Sequence, residues 1–222
     1  PTTRESLNAV LAKDVLGRIV RLQEGYLERR GPAAQAAAQG DLARLRVADP
    51  ADPTASPSAW RIVQDGSPIE LAPINGGDEP TRAESARHCA LVVYALHQQS
   101  RNRPMHVPSY PFAQAVRLLG RRRGGANEDF DTVVRKRFDQ VMLATTWGGR
   151  TEHLTALVRM MRAEEIGFDY GRLTKDLYRL ADTESARGVR IQWARDLYRH
   201  EPNPADPSSE PDPKTTTEGE DL

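Results

Sequence analysis

Two clusters of cationic side chains carry the chemistry this sequence has to offer. Arg121, Arg122 and Arg123 stand in a row, and Arg135, Lys136 and Arg137 stand in a second row. Between them lie a double glycine, Gly124–Gly125, and three carboxylates, Glu128, Asp129 and Asp131. A guanidinium fork donates two hydrogen bonds at once to a phosphate, so the pattern suits a polyanion. The window from Arg101 to Arg162 holds twelve bases against five acids, enough to recruit a nucleic-acid backbone by counterion release. Few aromatic residues are interleaved with the bases, so backbone contact without base stacking is expected. The candidate contact residues are Arg44, Arg46, Arg87, Arg101, Arg103, Arg121, Arg122, Arg123, Arg135 and Lys136. On a helical wheel from Phe130, Arg137 falls in the apolar sector among Val133, Val134 and Val141. It is expected to be partly buried, in an ion pair. The three carboxylates could hold the metal of a nuclease. The preferred reading is simpler: Asn127 caps a helix, and acids in its first turn complement the helix dipole.

Other catalytic patterns are missing. There is no phosphate loop ending in Lys-Ser/Thr and no Gly-x-Ser-x-Gly elbow. The five His are scattered, and His88 and His97 do not share a helix face at ligand spacing. No catalytic residue, metal or cofactor is expected.

The formal net charge of the 222 residues is zero, which hides an asymmetry. Residues 201–222 contain seven acids and one base, so the preceding body is basic by about six charges. Of the 31 basic residues only Lys13, Lys136, Lys175 and Lys214 are not Arg. A GC-rich genome, which also favours Ala, Gly and Pro, is the competing explanation of that bias. The single Cys89 excludes an internal disulfide. No stretch approaches 18 apolar residues and no signal peptide is expected, so the location read from the sequence is cytoplasmic.

Periodicity predicts helix almost everywhere. Apolar residues recur at helical spacing over residues 4–30. Pro32 suits the first turn of a second helix, and residues 48–58 read as loop. SAWRIVQ is a short amphipathic piece, and Ile69–Leu71 reads as extended. Thr81 and Glu84 form a capping box ahead of a helix with a stripe of Ala90, Leu91, Val93, Tyr94 and Leu96. RNRPMHVP is a loop. Ser109 and Pro111 open the next helix, which Gly124 and Gly125 stop. Thr151 and Asp169 are expected to cap two later helices, and a last one spans about residues 184–199. The fold class is all-α, with about eight or nine helices packed as two lobes. Residues 1–47 are N-terminal helices, 48–80 a loop-rich connection, 81–200 the helical lobe with the basic surface, and 201–222 an acidic tail read as disordered.

The order of several segments resembles the small CasB-type subunit of the type I-E CRISPR complex, Cascade. The segments are RHCALVVYALHQQ, FAQAVRLLGRR, the helix with Arg137, Phe138 and Leu143, His153 to Arg162, Ile166 to Leu173, and Val189 to Tyr198. The resemblance implies an all-helical, non-catalytic subunit. Two copies would lie beside the backbone subunits that hold the guide RNA (crRNA), within reach of the large subunit. Their basic surface would hold the displaced non-target strand of the double-stranded DNA target and support the R-loop. No membrane is implied. Two other readings stay open on the residues alone. One is a stand-alone helical DNA-binding regulator. The other is a nuclease built on the carboxylates.

Overall fold

The computed structural model describes residues 4–73, 77–124 and 130–198. Among them the chain forms nine α-helices: α1 (Arg4–Tyr26), α2 (Pro32–Arg46), α3 (Pro57–Gln64), α4 (Arg82–Gln98), α5 (Phe112–Arg123), α6 (Thr132–Leu143), α7 (Trp147–Ala163), α8 (Tyr170–Leu180) and α9 (Thr183–Tyr198). The fold is all-α. None of these helices is long and apolar enough to cross a membrane.

The capping box opens α4 as expected: the Thr81 hydroxyl accepts from the Glu84 amide, and the Glu84 carboxylate accepts from the Thr81 amide at 2.8 Å. Asp169 caps α8, accepting from the Arg172 amide at 3.1 Å, and Gly124 follows the last residue of α5. Other boundaries differ. The first helix stops at Tyr26, where the chain turns through Glu28 and Gly31 at positive φ. Thr151 caps nothing: α7 begins four residues earlier, capped by Thr146, and Thr151 is buried inside it. Two glycines, Gly148 and Gly149, lowered the helical signal there, but the first turn of a helix tolerates them. Asp131, not Asn127, caps α6; its carboxylate accepts from the Val133 and Val134 amides at 2.8 and 3.0 Å. Gly125, Asn127, Glu128, Asp129 and the acidic tail lie outside the described residues. Ile69–Leu71 is a 3₁₀ turn rather than an extended segment. Ser109 donates its amide to Asp169 from a left-handed turn, and α5 starts at Phe112 without a side-chain cap.

The core is a continuous cluster from Leu11 in α1 to Leu197 in α9. Its axis is α4, packed against α1, α2, α3, α7 and α8. The sequence shows one apolar stripe on α4, yet fifteen of its residues are buried, Arg87, His88, His97 and Gln98 among them. Neighbours on every side remove the solvent face that a stripe implies. Several of the buried polar atoms find partners, whereas Arg87 Nε, His88 Nδ1 and His97 Nε2 have no hydrogen-bond partner among the described residues. His97 Nδ1 lies 2.9 Å from the Tyr170 hydroxyl, and burial holds the imidazole down at about 3, so it stays neutral. The Gln98 amide nitrogen donates to the carbonyls of Arg101 and Arg103 at 3.0 and 2.9 Å, which clamps the loop after α4.

Helix C-termini leave carbonyls unpaired, and arginines take them up. Arg18 donates to Ile62 O and Asp65 O at the end of α3. Arg162 donates to Leu96 O of α4, and Arg190 to Met142 O of α6. Arg150, 5% exposed, bridges two helix ends by donating to Val141 O and Ala144 O of α6 and to Leu180 O of α8. Arg150→Lys keeps the charge but loses the fork. It is expected to cost about 1–3 kcal/mol and lower Tm by about 2–4 °C per kcal/mol in thermal melts.

Where α8 meets α9, Asp176 accepts from the Trp193 indole at 2.8 Å. Burial, with Asp196 adding to it, pushes the Asp176 carboxyl up to about 6, against the pull of that hydrogen bond and of Arg179 and Arg172. Folding therefore favours the protonated acid. That contribution is complete below about pH 4 and is lost as pH rises through about 6. Asp176→Asn keeps the indole acceptor. It is expected to match the parent near pH 4 and to exceed it by about 3 kcal/mol near pH 7.5 in denaturant titrations.

Candidate nucleic-acid interface

Four elements bring the exposed cations together. The last turn of α5 presents Arg121, Arg122 and Arg123, all exposed. The chain returns at Phe130, whose ring lies over Gly120; a Cβ there would overlap the ring, so only glycine admits this approach. The Asp131 amide donates to Gly120 O at 3.0 Å and fixes the start of α6 against the end of α5. The first turns of α6 then present Arg135 and the exposed Lys136 beside the α5 cluster. The Arg135 guanidinium sits 4.8 Å over the Phe130 ring and 6.0 Å from the Tyr198 ring, and it donates to the Tyr198 hydroxyl at 3.1 Å. Tyr198 is the last residue of α9.

The end of α7 supplies the acids that orient this face. Glu165 pairs with Arg101 at 3.1 Å and with Arg103 at 3.5 Å. Glu164 lies 3.7 Å from Arg123, its carbonyl accepts from Arg122 at 2.9 Å, and Asp131 pairs with Arg123 at 3.3 Å. Such exposed pairs are worth about 0–1 kcal/mol, so a phosphate can compete for the guanidinium groups. Arg121 and Lys136 have no partner among the described residues.

The ten residues read from the sequence therefore separate. Arg101, Arg103, Arg121, Arg122, Arg123, Arg135 and Lys136 share the surface built by the α4–α5 loop, α5, α6 and the α7 end. Arg44 and Arg46 lie in the last turn of α2, which packs on α1, α3 and α4; Arg44 pairs with Asp41 at 3.1 Å. Arg87 does not belong to any surface. It is 1% exposed, pairs with Asp14 at 3.4 Å and donates to Ser67 Oγ and Gln64 Oε1. Burial lowers its pKa, with Asp14 opposing that shift. Arg137 is half-buried as expected, but it pairs with no carboxylate of the described residues, and Val133 faces solvent at 53% exposure. Arg117 and Arg150, counted in the basic window, are buried.

The sequence reading missed a second basic feature. Arg21, Arg30 and Arg61 line a cleft of about 500 Å³ between α1, α2 and α3, with Asp41 and Asp65 opposite in charge. The three come from separate segments, so no run of bases marks them.

The family model for CRISPR-associated protein Cse2 matches residues 41–198, which takes in the whole of this face. The chain belongs to the Cse2 family. It is also similar to a solved structure described as the crystal structure of CasB from Thermobifida fusca. The two are 32% identical over 85% of this chain and 97% of that one, with a TM-score of 0.67. No curated protein in the comparison matches. The Cse2 match bears out the resemblance to the CasB-type small subunit of type I-E Cascade. Helix α1 precedes the matched region, yet its Asp14 is the ion-pair partner of Arg87 within it.

Arg87→Met leaves Asp14 with Arg18 alone, 3.0 Å away. It is expected to lower stability by about 2–3 kcal/mol while leaving single-stranded DNA affinity of the folded protein unchanged. Arg121→Glu is expected to do the opposite, and paired thermal melts and anisotropy titrations separate the two.

Proposed function

We propose that this Cse2-family chain is a non-catalytic subunit of Cascade whose α5–α6 face holds the sugar–phosphate backbone of the displaced non-target strand. The observation that carries the reading is the exposed cationic surface formed by Arg121, Arg122, Arg123 and Lys136 around Arg135, in which, among the described residues, Arg123 alone is held by weak ion pairs that phosphate can replace. Such a surface binds any sequence, which suits a strand that varies with every target. R-loop formation exchanges one duplex for another of nearly equal stability, so a few phosphate contacts to the released strand tip the balance. The guide crRNA, the backbone and large subunits and a second copy of the chain are the partners this role implies.

The nuclease reading loses support from the position of Asp131. Its carboxylate is committed to two amides of α6 and to Arg123. A metal there would have to break the helix cap.

Charge reversal at Arg121, Arg122, Arg123, Arg135 and Lys136 is expected to reduce R-loop yield of the assembled complex while circular dichroism stays helical. Each lost phosphate contact should flatten the log–log salt dependence by roughly 0.7 for single-stranded DNA. An unchanged yield at low and moderate salt would sink the assignment. Purification from the native host is expected to bring down a guide RNA with several larger subunits.

A further inference from the structure

We propose that Tyr198 is a stacking platform for an unpaired base, so that a strand lying on the α5–α6 cationic face sets one of its bases against the phenol ring. The inference rests on that face being the nucleic-acid surface proposed above. It adds a contact to the base, where the composition led to an expectation of backbone contact alone. Three observations carry it.

The first is exposure. Tyr198, the last residue of α9, is 64% exposed, whereas the other aromatic residue of that helix, Trp193, is buried in the core. The second is how the ring is held. Its hydroxyl accepts from Arg135 at 3.1 Å, and that guanidinium lies 4.8 Å from the centre of the Phe130 ring, which packs over Gly120. The same guanidinium is 6.0 Å from the centre of the Tyr198 ring, so it grips the phenol at its hydroxyl end and leaves ring surface open. A tyrosine anchored in this way offers a flat contact area at low conformational cost. The third is the charge beside it. Arg187, Ile191, Arg195 and Tyr198 are all exposed and fall on one stripe of α9. Arg187 and Arg195 form no ion pair among the described residues. The ring therefore has Arg195 one turn back on its own helix and Arg135 at its hydroxyl, a cation on either side to hold the phosphates that flank a stacked base. Every base has a π-face, so the contact adds affinity without reading sequence. It also gives a selectivity that charge alone does not. A duplex packs its phosphates more densely than a single strand and satisfies a purely cationic surface better, but its bases are stacked on one another and closed to the ring. The platform favours the strand whose bases have been released.

The test measures binding of the whole chain, at about 0.1 M salt, to two fluorescent strands of about 30 nucleotides: a thymidine run, and a run of abasic sites that carries the same charge. The parent is expected to bind the thymidine strand about tenfold more tightly than the abasic one. Tyr198→Ala is expected to lose that preference while its abasic affinity and its salt slope stay as in the parent, and Tyr198→Phe is expected to keep the preference. Tyr198→Leu retains apolar bulk without the ring and is expected to behave as Tyr198→Ala does; it supplies the comparison if the alanine chain fails to fold. A preference that survives in the alanine or leucine chain overturns the inference. So does a parent without any preference, provided Arg121→Glu with Lys136→Glu abolishes binding of both strands; the reading of the face then stands. Strands that bind regardless of those two reversals overturn the reading of the face and the inference with it. A Tyr198→Ala chain that keeps the preference but no longer joins the purified complex assigns the ring to a protein partner, and overturns the inference.

Discussion

Every helix that ends inside a protein leaves carbonyl oxygens without partners, and in this chain of short, closely packed helices that constraint recurs many times. Arginine resolves it. Arg18, Arg122, Arg150, Arg162 and Arg190 each donate to carbonyls at a helix end, and Arg150 serves two ends at once. A guanidinium brings charge that complements the negative end of the helix dipole and a fork that reaches more than one oxygen. The helix junctions of α3, α4, α6, α7 and α8 are held in this way.

The same residue type therefore does two jobs. Buried arginines are structural: Arg87 binds Asp14, Ser67 and Gln64 and joins α1, α4 and the segment after α3. Exposed arginines at the end of α5 and around α6 form a face whose ion pairs are too weak to hold it closed. Arg122 belongs to both classes, since one nitrogen is tied to Glu164 O while the side chain stays exposed. An excess of cations in a helical protein is thus not by itself a measure of nucleic-acid contact; some of that charge is consumed by the fold.

The cationic face depends on the same packing. Gly120 admits the Phe130 ring, the ring supports Arg135, and the Tyr198 hydroxyl at the end of α9 accepts from that guanidinium. On the other side, Gln98 of the central helix clamps the loop that delivers Arg101 and Arg103 to Glu165. The cationic face is thus carried on packed supports from α4, α5, α6 and α9.

The sequence by itself determined the helical class, most helix positions, the capping box at Thr81–Glu84, the cap at Asp169 and the separation of a basic body from an acidic tail. These depend on local spacing and on side chains reaching their own backbone, which one segment contains in full. Its order of motifs also carried the family resemblance. Only the tertiary structure decided that Arg87 is buried, that Asp131 rather than a residue before it caps α6, and that Arg101 and Arg103 meet the α5 cluster. It also drew together Arg21, Arg30 and Arg61. A helical wheel separates one face from another, but it does not say how many faces neighbours will cover. α4 is surrounded, so its arginine turns inward to a carboxylate 73 positions away in the chain. The last turn of α5 is open, so its arginines face solvent.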